Sequence, residues 1–245
     1  MHPLVIYLLA GLLIFASNVV AGITGFGNQI VALPLLALLV GLDAGKCTLV
    51  VLGTVMYGIL TARWHVHINR RQLGIIVAFA GVGLVIGMYL FERLDHHERA
   101  LQIALGAFVL VVGIQGLVRP TLMKLVPTPV ARLLVLAGGA VHGAFTTGGP
   151  LLVIYAQRAM PHKSEFRSTL GVMWLILNVG LMIGWTITGN WAGQTLVLCL
   201  AGLPFLIAGL TIGEYLHHKL DGPTFQAFVN AVLIVNGILL IVTAG

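Results

Sequence analysis

Long apolar runs, separated by short groups of charged residues, glycines and prolines, make up most of the chain. Ten apolar segments can be delimited at those polar positions. They run approximately over Leu4–Val20, Ile30–Val40, Cys47–Ala62, Leu73–Phe91, Ala100–Val118, Val130–Val141, Leu151–Ala159, Ser168–Thr188, Thr195–Gly213 and Phe225–Thr243. Most have the length that crosses a hydrocarbon layer about 30 Å thick. The pattern predicts an all-α integral membrane protein.

Two segments are too short to cross alone. At about 1.5 Å per residue, neither Ile30–Val40 nor Leu151–Ala159 reaches across the hydrocarbon layer. We expect broken or re-entrant half-helices there, so each half of the chain counts as four full spans or as five pieces. Whether the short segments cross or re-enter is left open.

A glycine-rich stretch precedes each short segment. The first break is Ala21–Gln29 and the second break is His142–Pro150, and each holds three glycines with one or more small polar residues. Non-helical backbone at bilayer depth is tolerated only where it lines a cavity or is buried in protein. Paired breaks in two halves are typical of the binding site of a secondary transporter.

The two halves match each other at a constant spacing of 121 residues. The matched positions are Gly22 with Gly143, Gly27 with Gly148, Lys46 with Arg167, Thr48-Leu49 with Thr169-Leu170, and Gly81 with Gly202. We therefore predict two repeats of four to five helical segments, 1–118 and 130–245, joined by a cytoplasmic linker, 119–129.

Composition supports the membrane assignment. The chain is 59% hydrophobic and 8% charged, whereas soluble domains are about a quarter charged. The net charge of +6 comes from Lys and Arg at the ends of apolar runs, which positive-inside bias explains better than nucleic-acid binding. Cys47 and Cys199 are predicted to be inert buried thiols. The first segment is predicted to be a membrane helix rather than a cleaved signal.

The positions of Lys and Arg also predict which loops lie on the cytoplasmic side of the membrane. Three basic groups should be cytoplasmic: Arg63 with Arg70 and Arg71, the linker with Arg119, Lys124 and Arg132, and Arg158 with Lys163 and Arg167. Asp43 with Lys46, the 92–99 loop and the uncharged 189–193 loop then face the other side. This arrangement makes the repeats inverted and places both termini outside.

The acidic residues are few, and all seven fall at segment ends or in loops on this segmentation. Buried carboxylates usually mark proton relays or cation sites in membrane proteins. Their absence disfavours a cation pump and favours an anionic or neutral substrate.

The two breaks offer what an anion needs. Half-helices beginning near Asn28 and Pro150 would point free N–H groups and the positive end of the helix dipole at a ligand. Neutral side chains would add donors beside them. The predicted substrate-binding residues are Thr24, Gly25, Phe26, Gly27, Asn28, Gln29, His142, Thr146, Thr147, Gly148, Gly149 and Pro150. The alternative for each glycine is close helix packing.

Further residues have weaker assignments. Lys46 and Arg167 would attract anions at the two entrances. His142, with an ordinary pKa near 6.5, would protonate beside an anion or bond a carbonyl as a neutral imidazole. Cavity-lining candidates are Asn18, Pro34, Tyr57, Tyr155, Trp174 and Asn178. For Asn18, Tyr57, Trp174 and Asn178, interhelical hydrogen bonding is an equal alternative. The histidine pairs His65/His67, His96-His97 and His217-His218 are not expected to bind a metal, and no cofactor is expected.

The stretch Gly-Ile-Thr-Gly-Phe-Gly-Asn-Gln-Ile-Val-Ala-Leu-Pro-Leu-Leu in the first half and its echo Gly143–Tyr155 resemble the duplicated signatures of the TauE/SafE sulfite-exporter family. The resemblance covers essentially the whole chain. It implies a prokaryotic inner-membrane transporter that exports sulfite, organosulfonates or related small anions, with protons as a candidate coupling ion. The motif residues that carry over are Thr24, Gly25, Phe26, Gly27, Asn28, Pro34, Gly148, Gly149 and Pro150.

Residue pattern and resemblance together predict a secondary transporter that binds a small anion between broken helices near the midplane. The alternatives are a passive anion channel, a carrier of small carboxylates, and a membrane-embedded enzyme. The last lacks paired intramembrane carboxylates or a nucleophile–His–acid set, so no enzyme is predicted. The expected partners are the anion and membrane lipid but no nucleic acid, and a homo-oligomer is compatible with the sequence.

Overall fold

The computed structural model describes residues 3–91, 98–118, 128–146 and 148–243. This part of the chain contains ten α-helices and one short 3₁₀ turn. The helices are α1 (Pro3–Thr24), α2 (Asn28–Val40), α3 (Leu42–Trp64), α4 (Arg70–Phe91), α5 (Glu98–Val118), α6 (Thr128–Phe145), α7 (Gly149–Ala159), α8 (Lys163–Thr188), α9 (Thr195–Lys219) and α10 (Gly222–Val242); the 3₁₀ turn is His65–His67. Each predicted segment corresponds to one helix, which confirms the all-α membrane fold. Helix ends extend further than predicted because charged and polar residues continue the first and last turns.

Seven of the described helices are long and apolar enough to cross a membrane. They are α1, α3, α4, α6, α8, α9 and α10, with mean hydropathies from 1.3 to 2.4 over their most apolar windows. The two short segments are short helices, as predicted: α2 has 13 residues and α7 has 11. Their lengths of about 20 and 16 Å fall well below a hydrocarbon thickness of about 30 Å.

The chain forms two compact units. Unit 1 contains residues 1–68 and 167–220, and so holds α1, α2, α3, α9 and most of α8. Unit 2 contains residues 69–166 and 221–245, and so holds α4 to α7 and α10. Each unit takes helices from both halves of the chain. The repeat boundaries at 1–118 and 130–245 stay a prediction, and linker residues 119–127 lie outside the described part.

Glycines bring helices close together inside each unit. In unit 1, a Cβ on Gly22 of α1 would lie 2.9 Å from the Cα of Gly213 on α9. In unit 2, a Cβ on Gly143 of α6 would lie 2.2 Å from the carbonyl oxygen of Leu84 on α4. Gly22 and Gly143 are matched positions of the predicted repeat, and both serve the close packing that was the alternative to a binding role.

The other break residues start the short helices where the sequence predicts. In the first break, Gly25 and Gly27 have left-handed backbones, with φ of 81° and 98°, and α2 begins directly afterwards at Asn28. In the second break, α7 begins at Gly149, 121 residues after the start of α2, with Pro150 in its first turn. A proline is favourable there because that N–H has no partner inside the helix.

The packing role of Gly143 can be tested against Gly81, which lies on α4 in open space with nothing within 4 Å of an added methyl group. We expect Gly143→Ala to destabilise the protein by about 1–3 kcal/mol, because the new methyl group overlaps the Leu84 carbonyl. Gly81→Ala should be neutral or stabilising by about 0.5–1 kcal/mol, since alanine favours the helix. Thermal unfolding in detergent measures both, and equal melting temperatures would contradict the packing argument.

Candidate functional site

The first break is closed by the side chain of Thr24, the last residue of α1. Its hydroxyl lies 2.8 Å from the carbonyl oxygens of both Val20 and Phe26, and it accepts a hydrogen bond from the Phe26 N–H at 3.3 Å. The hydroxyl thus satisfies backbone groups that the interrupted helix leaves unpaired. The sequence predicts Thr24 as a substrate ligand, but its hydroxyl is engaged by the backbone of the break.

Four buried polar side chains meet at the start of α2, and we call them the amide cluster: Asn28, Gln29, Tyr57 and Asn178. The Tyr57 hydroxyl donates to Asn28 Oδ1 at 3.1 Å. Gln29 Nε2 donates to Asn178 Oδ1 at 3.2 Å. All four are candidates from the sequence, and unit 1 brings them together from α2, α3 and α8.

The orientation of the Asn28 carboxamide follows from its partners. Asn28 Oδ1 accepts a hydrogen bond from the backbone N–H of Gln29 at 2.8 Å. A backbone N–H can only donate, so the oxygen must face it and the Nδ2 group must point away. In the structure, Asn178 Oδ1 accepts from Gln29 Nε2, so the Asn178 Nδ2 group points away from Gln29.

Two donors are left over in the amide cluster. Asn28 Nδ2 and Asn178 Nδ2 have no hydrogen-bond partner among the described residues. Both residues are buried, since Asn28 is 2% exposed and Asn178 0%. Both face the same point beside α3: a Cβ on Gly53 would lie 2.9 Å from the first nitrogen and 3.1 Å from the second. Buried donors without partners are costly, so these two groups suit a ligand that accepts hydrogen bonds.

The chemistry of the amide cluster favours an oxyanion. The donors are neutral, and Asn28 is the first residue of α2, where the helix dipole favours negative charge. The cluster contains no carboxylate to hold a cation. Beside it, the ring of Trp174 on α8 lies 6.5 Å from the ring of Tyr57, centroid to centroid, and provides an aromatic wall.

Other predicted residues of unit 1 lie elsewhere. Asn18 donates to the Ile14 carbonyl of its own helix at 2.7 Å. Pro34 lies inside α2. Lys46 is buried in α3 rather than in a loop, and its entrance role stays a prediction.

Unit 1 also contains a second group, the arginine cluster: Arg63, Trp64, Arg167 and Glu214. The sequence predicts Arg167 as an entrance residue, which stays a prediction, but it does not predict this grouping. Glu214 on α9 pairs with Arg63 and accepts from Trp64 Nε1 at 2.9 Å. Arg167 Nη2 lies 3.4 Å from the same carboxylate, and its guanidinium lies 5.7 Å from the Trp64 ring centroid.

The arginine cluster and its neighbour His217 correct three predictions. The sequence pattern places Arg167 in a loop, but it lies inside α8, with its side chain 2% exposed. The pattern places Glu214 at a segment end, yet α9 continues past it to Lys219 because its charge is paired. His217 is assigned to a loop by the same pattern but is buried in α9, with Nδ1 2.7 Å from the Ile23 carbonyl oxygen.

The remaining histidine pairs lie apart from these clusters. His65 and His67 belong to the 3₁₀ turn, and His96-His97 lie outside the described residues. Among the described residues, no three His, Cys, Asp or Glu side chains are grouped closely enough to hold a metal ion.

The second break belongs to unit 2. His142 is buried near the end of α6, and its carbonyl accepts a hydrogen bond from the Thr146 N–H at 2.8 Å. A Cβ on Gly148 would lie 1.8 Å from the Gly138 carbonyl oxygen, so this glycine permits α7 to start against α6. The predicted residue Thr147 lies outside the described part of the chain.

Unit 2 also contains buried polar pairs. The Tyr155 hydroxyl, a predicted cavity group, donates to Gln72 Oε1 at 2.7 Å. Gln157 Nε2 donates to Asn230 Oδ1 at 3.2 Å, and neither residue is singled out by the sequence. Such hydrogen bonds between helices contribute to helix association in membrane proteins.

The two ion pairs of Glu214 differ in burial, and this difference generates a prediction. Arg63 is 58% exposed and Arg167 is 2% exposed. We expect double-mutant cycles with Glu214→Gln to give a coupling of roughly 1–3 kcal/mol for Arg167→Gln, because a buried charge loses its partner. The coupling for Arg63→Gln should stay below about 1 kcal/mol, as for other exposed pairs. Unfolding in mixed micelles measures both, and the reverse order would contradict the argument.

Comparisons with known proteins address the family of the chain. The family described as "Sulfite exporter TauE/SafE" matches residues 9–240 of the chain. The "Probable inner membrane transporter protein TsaS" of Comamonas testosteroni is 26% identical over 220 residues, which cover 83% of this chain and 86% of that protein. No solved structure matches. The match over nearly the whole chain confirms the resemblance seen in the two breaks, and the protein, a multi-pass membrane transporter, therefore belongs to the TauE/SafE sulfite exporter family.

Proposed function

We propose that the protein is a secondary transporter of small sulfur-containing anions such as sulfite or organosulfonates, and that the anion binds at the amide cluster. The observation that carries this proposal is the pair of buried Nδ2 groups of Asn28 and Asn178, which have no partner among the described residues and both lie close to Gly53. An anion with several oxygens would accept from both groups at once.

Neutral donors suit a transporter because the anion must leave as readily as it binds. A charge-assisted bond to arginine is roughly twice as strong as a neutral one, and the buried arginine of the arginine cluster is already paired with Glu214. The family description supports a sulfur oxyanion as the substrate class. Transport would proceed by alternating access around this site.

Gly53 offers a test that retains the side chain of every proposed ligand residue. Gly53→Ala would put a methyl group 2.9 and 3.1 Å from the two nitrogens, in the space proposed for the anion. We expect the apparent KM for sulfite to rise at least about tenfold, a loss of about 1.4 kcal/mol in binding. Uptake of radiolabelled sulfite into proteoliposomes measures this effect.

Gly58→Ala is the matched control for Gly53→Ala. It lies on the same helix, and nothing is found within 4 Å of the added methyl group. Both variants gain the same helix propensity, so their melting temperatures should be similar while only Gly53→Ala loses transport. Equal loss of transport in both, or in neither, would refute the amide cluster as the site.

The same proteoliposomes separate the carrier from the alternatives. A carrier gives saturable uptake that is accelerated by substrate on the opposite side, whereas a passive channel gives unsaturable flux. Competition by acetate or malonate in place of methanesulfonate would assign small carboxylates as the substrate. Dependence of the flux on an imposed pH gradient tests protons as the coupling ion.

We further propose that both termini face the periplasm and that Arg63, Arg70 and Arg71 face the cytoplasm, because short cytoplasmic loops accumulate basic residues. Alkaline phosphatase fused after Gly245 should be active, since the enzyme matures only outside the cytoplasm. The same enzyme inserted after Asn69 should be inactive. Activity of the Asn69 fusion alone would reverse the proposed orientation.

A further inference from the structure

Thr146 in the second break has an unusual backbone. Its φ is +58°, in the left-handed region, and it is the only residue other than glycine with a positive φ in the part of the chain that the structure describes. A β-branched residue is a genuine outlier in that region, because its side chain crowds its own backbone. Such strain persists where surrounding structure enforces it, and it concentrates at functional sites.

The matched position in the first break shows which residue type adopts this turn without backbone strain. Gly25 lies 121 residues before Thr146, and its φ is +81°. Glycine adopts this conformation freely. A glycine would therefore serve the same turn at position 146, so the turn itself gives no reason for a threonine.

The side chain of Thr146 provides the second, independent observation. The residue is 3% exposed, and its hydroxyl has no hydrogen-bond partner among the described residues. Thr24 in the first break is different, since its hydroxyl is engaged by the carbonyls of Val20 and Phe26. The second break thus carries both a strained backbone and an unpaired buried hydroxyl at one residue, and each of them costs stability.

We propose that Thr146 is an anion ligand whose hydroxyl donates a hydrogen bond to an oxygen of an anion bound at the second break, within unit 2. The residue lies three positions before α7, whose N-terminal N–H groups favour negative charge in the same region. This inference rests on the proposed function and deepens it, because it names a further ligand group for the same class of anion. It also separates Thr146 from Thr24, which has a structural role.

Thr146→Val tests the hydroxyl alone, because valine keeps the shape and the β-branched backbone strain. We expect the Kd for sulfite, measured by calorimetry on the purified protein, to rise about tenfold while the melting temperature stays the same or rises. Thr146→Ser retains the hydroxyl and should bind sulfite within about twofold of the wild type. Thr146→Gly removes strain and hydroxyl together, and should bind as weakly as the valine variant without melting lower.

The outcomes distinguish the two proposals. Normal sulfite binding by Thr146→Val would overturn the ligand role of Thr146 and leave the amide cluster standing. A lower melting temperature with unchanged Kd would show that the hydroxyl is structural and would likewise overturn it. If Thr146→Val cannot be purified, Thr146→Gly gives the same affinity test. No binding of sulfite, methanesulfonate or sulfate by the wild type would overturn both proposals.

Discussion

An interrupted helix inside a membrane has no water to complete its hydrogen bonds, and this constraint decides what each residue of the two breaks does. The Thr24 hydroxyl bonds backbone groups of Val20 and Phe26 where α1 ends, and Asn28 Oδ1 accepts the Gln29 N–H at the start of α2. Gly25 turns the chain where its Cβ would lie 2.7 Å from the Arg167 carbonyl oxygen. Most of the polar chemistry in the first break therefore stabilises the break itself.

Polar atoms of the breaks that have no hydrogen-bond partner indicate a ligand site better than the mere presence of a polar residue does. Asn28 uses its oxygen for structure and leaves its nitrogen unpaired, so one side chain supports the break and also faces the proposed ligand. Thr24 and Thr146 are the same residue type in matching stretches, but only the second has an unpaired hydroxyl. A buried donor without a partner costs stability, and binding of an acceptor would recover that cost.

The sequence was sufficient for the helices and for where the short ones begin, because apolar runs and glycine breaks are local features. It was not sufficient where charged residues on different helices pair, because the rule that charge ends an apolar segment then does not hold. The predicted segments end just before Glu214 and begin just after Arg167 because both residues are charged, yet both lie inside helices because each neutralises the other. The role of Gly53 was not predictable either, since a glycine in an apolar run gives no sign of which side chains on other helices will face it.

If the protein transports an anion as proposed, the placement of charge accounts for how it would bind that anion and still release it. The buried guanidinium of Arg167 is held by Glu214, and the amide cluster contains only neutral groups. A free buried arginine would bind the anion more tightly, but it would also be costly whenever the site is empty. Neutral amides avoid that cost, because an empty site exposes unpaired N–H groups rather than an unpaired charge. Selectivity for an oxyanion then depends on the number and direction of these donors.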